Sequence, residues 1–113
     1  MPSRFPHTPD GRYFVSKGRL WRTTNPNLPE DERERLVKDL MDARRDVHRH
    51  RDDAQKLKDA RTRVHAAKVA LGERGPVWWD DGKEDVLQRA PKNTHYADWW
   101  AGLTEEERDA GRA

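Results

Sequence analysis

The sequence predicts a mainly α fold of the α+β class: an N-terminal β-hairpin, an antiparallel helical hairpin, and a Trp-rich C-terminal segment with short helices. Three observations lead there. Apolar residues between Leu36 and Leu71 recur every three or four positions, the period of one helix face. Ahead of them, two β-prone runs flank a short loop that ends in glycine. Behind them come four of the five tryptophans, in two adjacent pairs.

The chain of 113 residues fits one small domain, 1–113. It is very polar, with a mean hydropathy of -1.28 and 39% charged residues, and it has no isoleucine. That composition leans toward disorder, but the net charge is only +2. The indoles argue for a folded interior. Each can bury ~150–250 Å², a gross gain of ~4–6 kcal/mol per fully buried ring as an upper bound.

Residues 1–11 read as extended and turn-rich, because Pro2, Pro6 and Pro9 forbid a helix there. The β-hairpin is assigned to 12–22, with Ser16-Lys17-Gly18 as a three-residue loop. Tyr13 then lies near Trp21 and Phe14 near Leu20, within about one residue of register. An isolated hairpin is marginal in water, so its aromatic face needs support.

The first helix is assigned to 29–50, with Pro29 in the first helical position. Glu30, Asp31 and Glu32 complement the helix dipole. Leu36, Leu40, Ala43 and Val47 form the seam, and Val37 and Met41 widen it. The second helix is assigned to 53–72, through Ala54, Leu57, Val64, Ala67 and Leu71. Asp52 is its expected cap, with Gln55 reaching back. One long helix through His50 is the alternative, but it would leave the seam exposed unless the chain dimerised. Gly72 and Gly75 offer left-handed ends, and Pro76 blocks continuation.

The Trp-rich stretch, 76–103, is expected to wrap the thin, Ala-lined helix pair. Asp81 and Glu84 read as the cap of a short helix through Val86 and Leu87. Tyr96, Trp99, Trp100 and Leu103 share one helical face. Thr104 with Glu107 reads as a capping box, and 105–113 as a frayed tail without an apolar anchor.

The strings Arg4-Phe5-Pro6-His7-Thr8-Pro9-Asp10-Gly11-Arg12-Tyr13-Phe14-Val15, Gly18-Arg19-Leu20-Trp21-Arg22, Asp39-Leu40-Met41-Asp42-Ala43-Arg44-Arg45 and the run from Ala66 to Gly82 are specific. With Asn93-Thr94 and Tyr96-Ala97, they cover most of the chain. In these the sequence resembles a family of short bacterial proteins of unknown function, some of them labelled with Tol-type biopolymer transport. The resemblance implies no activity, so no catalytic residue carries over. Relatives tend to have Gly at the middle turn, where this chain has Arg51-Asp52-Asp53.

The remaining chemistry is sparse. There is no cysteine, hence no disulfide and no thiolate nucleophile. The only serines are Ser3 and Ser16, and there is no Gly-rich phosphate loop. His48-Arg49-His50 has the wrong spacing for a helical metal site. Asp80-Asp81 beside Trp78-Trp79 reads as turn and cap rather than an acid–base pair. No catalytic residue, cofactor or metal is expected. No apolar run approaches the ~20 residues of a membrane span, and the N-terminus lacks the apolar core of a signal peptide, so a cytoplasmic location is expected.

Two binding surfaces are left. Trp78, Trp79, Trp99, Trp100 and Tyr96 are candidates for contact with an unidentified protein partner. Arg44, Arg45, Arg49, Arg51, Lys56 and Arg63 crowd the helical tip and are candidates for anion binding, including non-specific nucleic-acid binding. Interspersed acids blunt that basic field. The expectation is a non-catalytic protein-interaction module, monomeric or weakly dimeric, with nucleic-acid binding as the alternative.

Overall fold

The computed structural model describes residues 4–113; the reading of Met1-Pro2-Ser3 lies outside the described residues. The elements are β1 (Tyr13–Ser16), β2 (Arg19–Arg22), α1 (Glu30–Arg49), α2 (Ala54–Ala70), α3 (Ala97–Ala101) and α4 (Glu105–Arg112), with a 3-10 turn at Pro91–Asn93. The mainly α architecture with one N-terminal hairpin is the one the sequence predicts. The chain's contacts gather into two compact units. One is the N-terminal part through Thr23 together with Trp79–Ala113; the other is Thr24–Trp78.

In the first unit, β1 and β2 are joined by two residues, not three. Lys17 and Gly18 both have positive φ, 54° and 73°. That turn matches the natural strand twist and draws Ser16 into the ladder opposite Arg19. Tyr13 consequently faces Arg22, and Phe14 faces Trp21, one residue from the expected pairing. Tyr13, Val15, Leu20 and Arg22 are buried, as the period of two requires for one inward face.

Both edges of this hairpin are bonded. Val15 N–H donates to the Pro6 carbonyl (2.9 Å), and Thr8 N–H to that of Tyr13 (2.9 Å). On the far side Leu20 N–H donates to Arg89 O (3.0 Å), while Gln88 N–H donates to Leu20 O (2.7 Å). These flanking segments satisfy backbone groups that a lone hairpin would leave to water. They also explain a correction: no helix forms through Val86 and Leu87. The backbone just beyond, at Gln88 and Arg89, is bonded to Leu20 of β2, and Gln88 turns at φ 69°.

A second correction concerns the tail, which is α4 rather than frayed. The expected capping box starts it: Glu107 N–H reaches Thr104 Oγ1 (3.1 Å) and Thr104 N–H reaches Glu107 Oε1 (3.0 Å). Its last carbonyls are met by the hairpin turn, Lys17 N–H to Ala113 O (2.8 Å) and Gly18 N–H to Gly111 O (3.0 Å). The anchor is a missing side chain, invisible to an apolar count. A Cβ on Gly111 would stand 2.9 Å from the Trp100 indole and 3.2 Å from Val15.

The second unit is a helical hairpin, not one long helix. Pro29 occupies the cap position of α1, one residue before the helix, at φ -56° and ψ 144°. A four-residue link, His50 to Asp53, separates the helices. Asp53, not Asp52, caps α2, accepting from Lys56 N–H at 3.0 Å; Gln55 turns instead to Asp59 (3.0 Å). Leu36, Leu40, Ala67 and Leu71 form the core, with Leu28 and Val64 packed on it. The end of α2 is a Schellman motif: Gly72 N–H to Val69 O (3.0 Å) and Glu73 N–H to Lys68 O (2.9 Å), with Gly72 at φ 83°. Asn25 N–H closes on Leu71 O at 2.8 Å.

Candidate functional site

The aromatic candidates divide between the units. Trp78 belongs to the helical hairpin, where its indole packs so closely on Gly72 that a Cβ there would stand 2.9 Å from the ring. Trp79, Tyr96, Trp99 and Trp100 belong to the first unit, where Tyr13 stands edge-on to Trp79 and to Tyr96, each at 5.6 Å between centroids. Tyr96 is also edge-on to Trp99 (6.3 Å), and Trp99 is 6.3 Å from Trp100. Trp79 and Tyr96 are buried, 9% and 5% exposed. That corrects their reading as partner-binding residues: they fill the interior. Trp78, Trp99 and Trp100 are half-buried.

Around these rings runs a polar network the sequence reading did not single out. The Tyr13 hydroxyl donates to Asp85 (2.8 Å) and accepts from Val86 N–H (3.0 Å). The Tyr96 hydroxyl donates to Asp10 (2.6 Å), which also accepts from Thr8 Oγ1 (2.7 Å). Arg12 makes a two-pronged pair with Asp81 (2.5 and 3.2 Å) and lies 4.8 Å over the Trp79 ring. Trp79 Nε1–H donates to Lys83 O (3.0 Å). Burial, then the neighbouring Asp85 or Asp10, pushes both phenols above their ordinary range. A phenol so raised is a poor base or nucleophile at neutral pH. The network has the chemistry of a fastener between 8–13 and 79–96. In the sequence, only the turn-rich character of residues 1–11 and the Asp80-Asp81 turn hinted at it.

At the helical tip the anion candidates are exposed, but acids engage several of them. Arg45 pairs with Asp42, Arg49 with Asp46 (3.7 Å), and Arg63 with Asp46 across the hairpin (2.6 Å). Arg51 leans on His48 (3.3 Å). Arg44 and Lys56 make no ion pair among the described residues. The six cations therefore do not form one open patch.

A different surface stands out on α1. Val37 and Met41, expected to widen the buried seam, are 38% and 54% exposed. At ~100° per residue they lie well off the line of Leu36, Leu40 and Ala43. Met41, Arg44, Arg45 and His48 line a shallow concavity of 640 Å³. Glu30 and Glu34 continue the same side toward the N-terminus of the helix, both exposed. The side thus reads acidic, apolar, basic along its length.

Among the described residues no group of three or more His, Asp or Glu is placed to hold a metal ion, and no helix is long and apolar enough to cross a membrane. No protein-family model, curated protein or solved structure matches the chain.

Proposed function

We propose that this chain is a non-catalytic, cytoplasmic protein-interaction module that docks an acidic amphipathic helix on the exposed side of α1. The observation that carries the reading is the apolar pair Val37 and Met41 beside Arg44, Arg45 and His48. Exposed apolar side chains one helical turn apart suit the apolar stripe of a partner helix. Arg44, which makes no ion pair among the described residues, suits an acid flanking that stripe and steers the encounter. Nucleic-acid binding at the tip is the weaker alternative, because Asp42 and Asp46 already engage Arg45, Arg49 and Arg63.

The test uses a synthetic helix with leucines at helical spacing and glutamates between them, and a lysine counterpart. The acidic peptide binds and the basic one does not; Met41→Asp weakens binding about tenfold, roughly the 1.4 kcal/mol of one desolvated side chain, with thermal stability unchanged. Equal binding of both peptides, or indifference to Met41→Asp, contradicts the proposal. A gel shift at low salt tests the alternative, since even weak phosphate binding appears there.

A further inference from the structure

We infer that the helix this face receives is α1 of a second copy of the chain, the two α1 helices pairing antiparallel about a two-fold axis at the level of Asp39. The inference rests on the docking reading above and names the partner. In an isologous pair, residues equidistant from the axis face one another, and every contact occurs twice. Val37 then meets the partner's Met41, Glu34 meets the partner's Arg44, and Glu30 meets the partner's His48. These residues follow one another at one helical face's spacing, and all are exposed. The acidic first half of α1 is itself the amphipathic acidic helix that its second half would receive.

The like-charge meeting is mild. Arg33 would approach the partner's Arg45, but Arg33 sits 3.4 Å from Glu30 and Arg45 is paired with Asp42, each within its own helix. A parallel pair would set Glu34 against Glu34 and Arg44 against Arg44, so the charge order selects the antiparallel one. Each copy offers only two apolar side chains along a 20-residue helix, so the buried area falls below the ~1,200 Å² of standard interfaces. The dimer is therefore weak, and salt loosens it by screening exposed charge pairs.

Sedimentation velocity on the full chain, from about 20 µM to about 1 mM at low and high salt, reads this directly. A reversible monomer–dimer equilibrium is expected, weaker in high salt. Met41→Asp and Arg44→Glu should each weaken it about tenfold or more. Glu34→Arg combined with Arg44→Glu in one chain should restore it, because each copy then carries both reversed partners. Circular dichroism melts confirm that the variants remain folded. A chain monomeric throughout, a dimer unmoved by Met41→Asp, or a double reversal that fails to restore pairing overturns the inference. A monomeric chain that still binds the acidic peptide overturns self-pairing alone. A charge-reversible dimer in a chain that ignores the peptide overturns the heterotypic reading alone.

Discussion

Gly111 shows how a single position can hold an element that lacks an apolar anchor of its own. The Trp100 ring and Val15 take the space a Cβ would need. Gly111→Ala should therefore lower stability by about 1–3 kcal/mol from overpacking, despite alanine's better helix propensity; a chemical denaturation series measures it. Tyr13→Phe should also cost about 1–3 kcal/mol, because it strips Val86 N–H and Asp85 of the hydroxyl between them. At this scale the sequence was only partly readable. Alternation at Tyr13, Val15, Leu20 and Arg22 is visible in the string, as is the requirement for a turn at Gly18. The one-residue shift in register is not, because it depends on Lys17 adopting positive φ, which no side-chain pattern signals. The pairing of Tyr13 with Asp85 and of Tyr96 with Asp10 is likewise a consequence of the fold, 72 and 86 residues apart in the chain.

Caps decide the helices. Asp52 and Asp53 are adjacent acids, and local spelling favours Asp52 with Gln55; the structure uses Asp53 on Lys56 N–H. Asp53→Ala should cost about 1 kcal/mol and Asp52→Ala only a few tenths, a difference that parallel thermal melts of the two variants resolve. The helical hairpin was legible because its seam, its glycine-ended second helix and Pro76 are all local signals. The absent helix near Val86 was misread for the opposite reason. Asp81 has a cap's chemistry but is turned to Arg12 and to Lys83 N–H (3.1 Å), and Gln88 and Arg89 are bonded to β2. Tertiary pairing overrode local propensity there. On α1, Val37 and Met41 look like core in a count of apolar residues. Their angle from the seam is the signal that would have marked them as surface.

Across the whole molecule, charge ties the fold to pH at both extremes. Arg12 holds the Asp81 carboxyl below the usual range, Arg108 does so for Glu105, and Thr104 N–H does so for Glu107. Groups lowered by folding stabilise it fully above ordinary carboxylate pKa values, about 4, and that stability is lost as pH falls through the lowered values. Tyr13 and Tyr96 behave oppositely: burial raises both, so their contribution is complete below the ordinary phenol value of about 10 and is lost as pH rises beyond it. These are the chain's only tyrosines. Phenolate absorbance should accordingly appear together with loss of the folded circular dichroism signal; ionisation at about pH 10 in a fully folded chain would contradict the buried network.

The central claim is that the aromatic cluster around the buried Trp79 and Tyr96 is structural, and that the exposed side of α1 is the proposed contact surface. Titrating the labelled chain with the acidic peptide while recording methyl and indole N–H resonances separates the two sets of groups in one measurement. The methyls of Met41 and Val37 should shift progressively while the five indole N–H signals stay in place. Movement of the indole signals with Met41 and Val37 unmoved would contradict it.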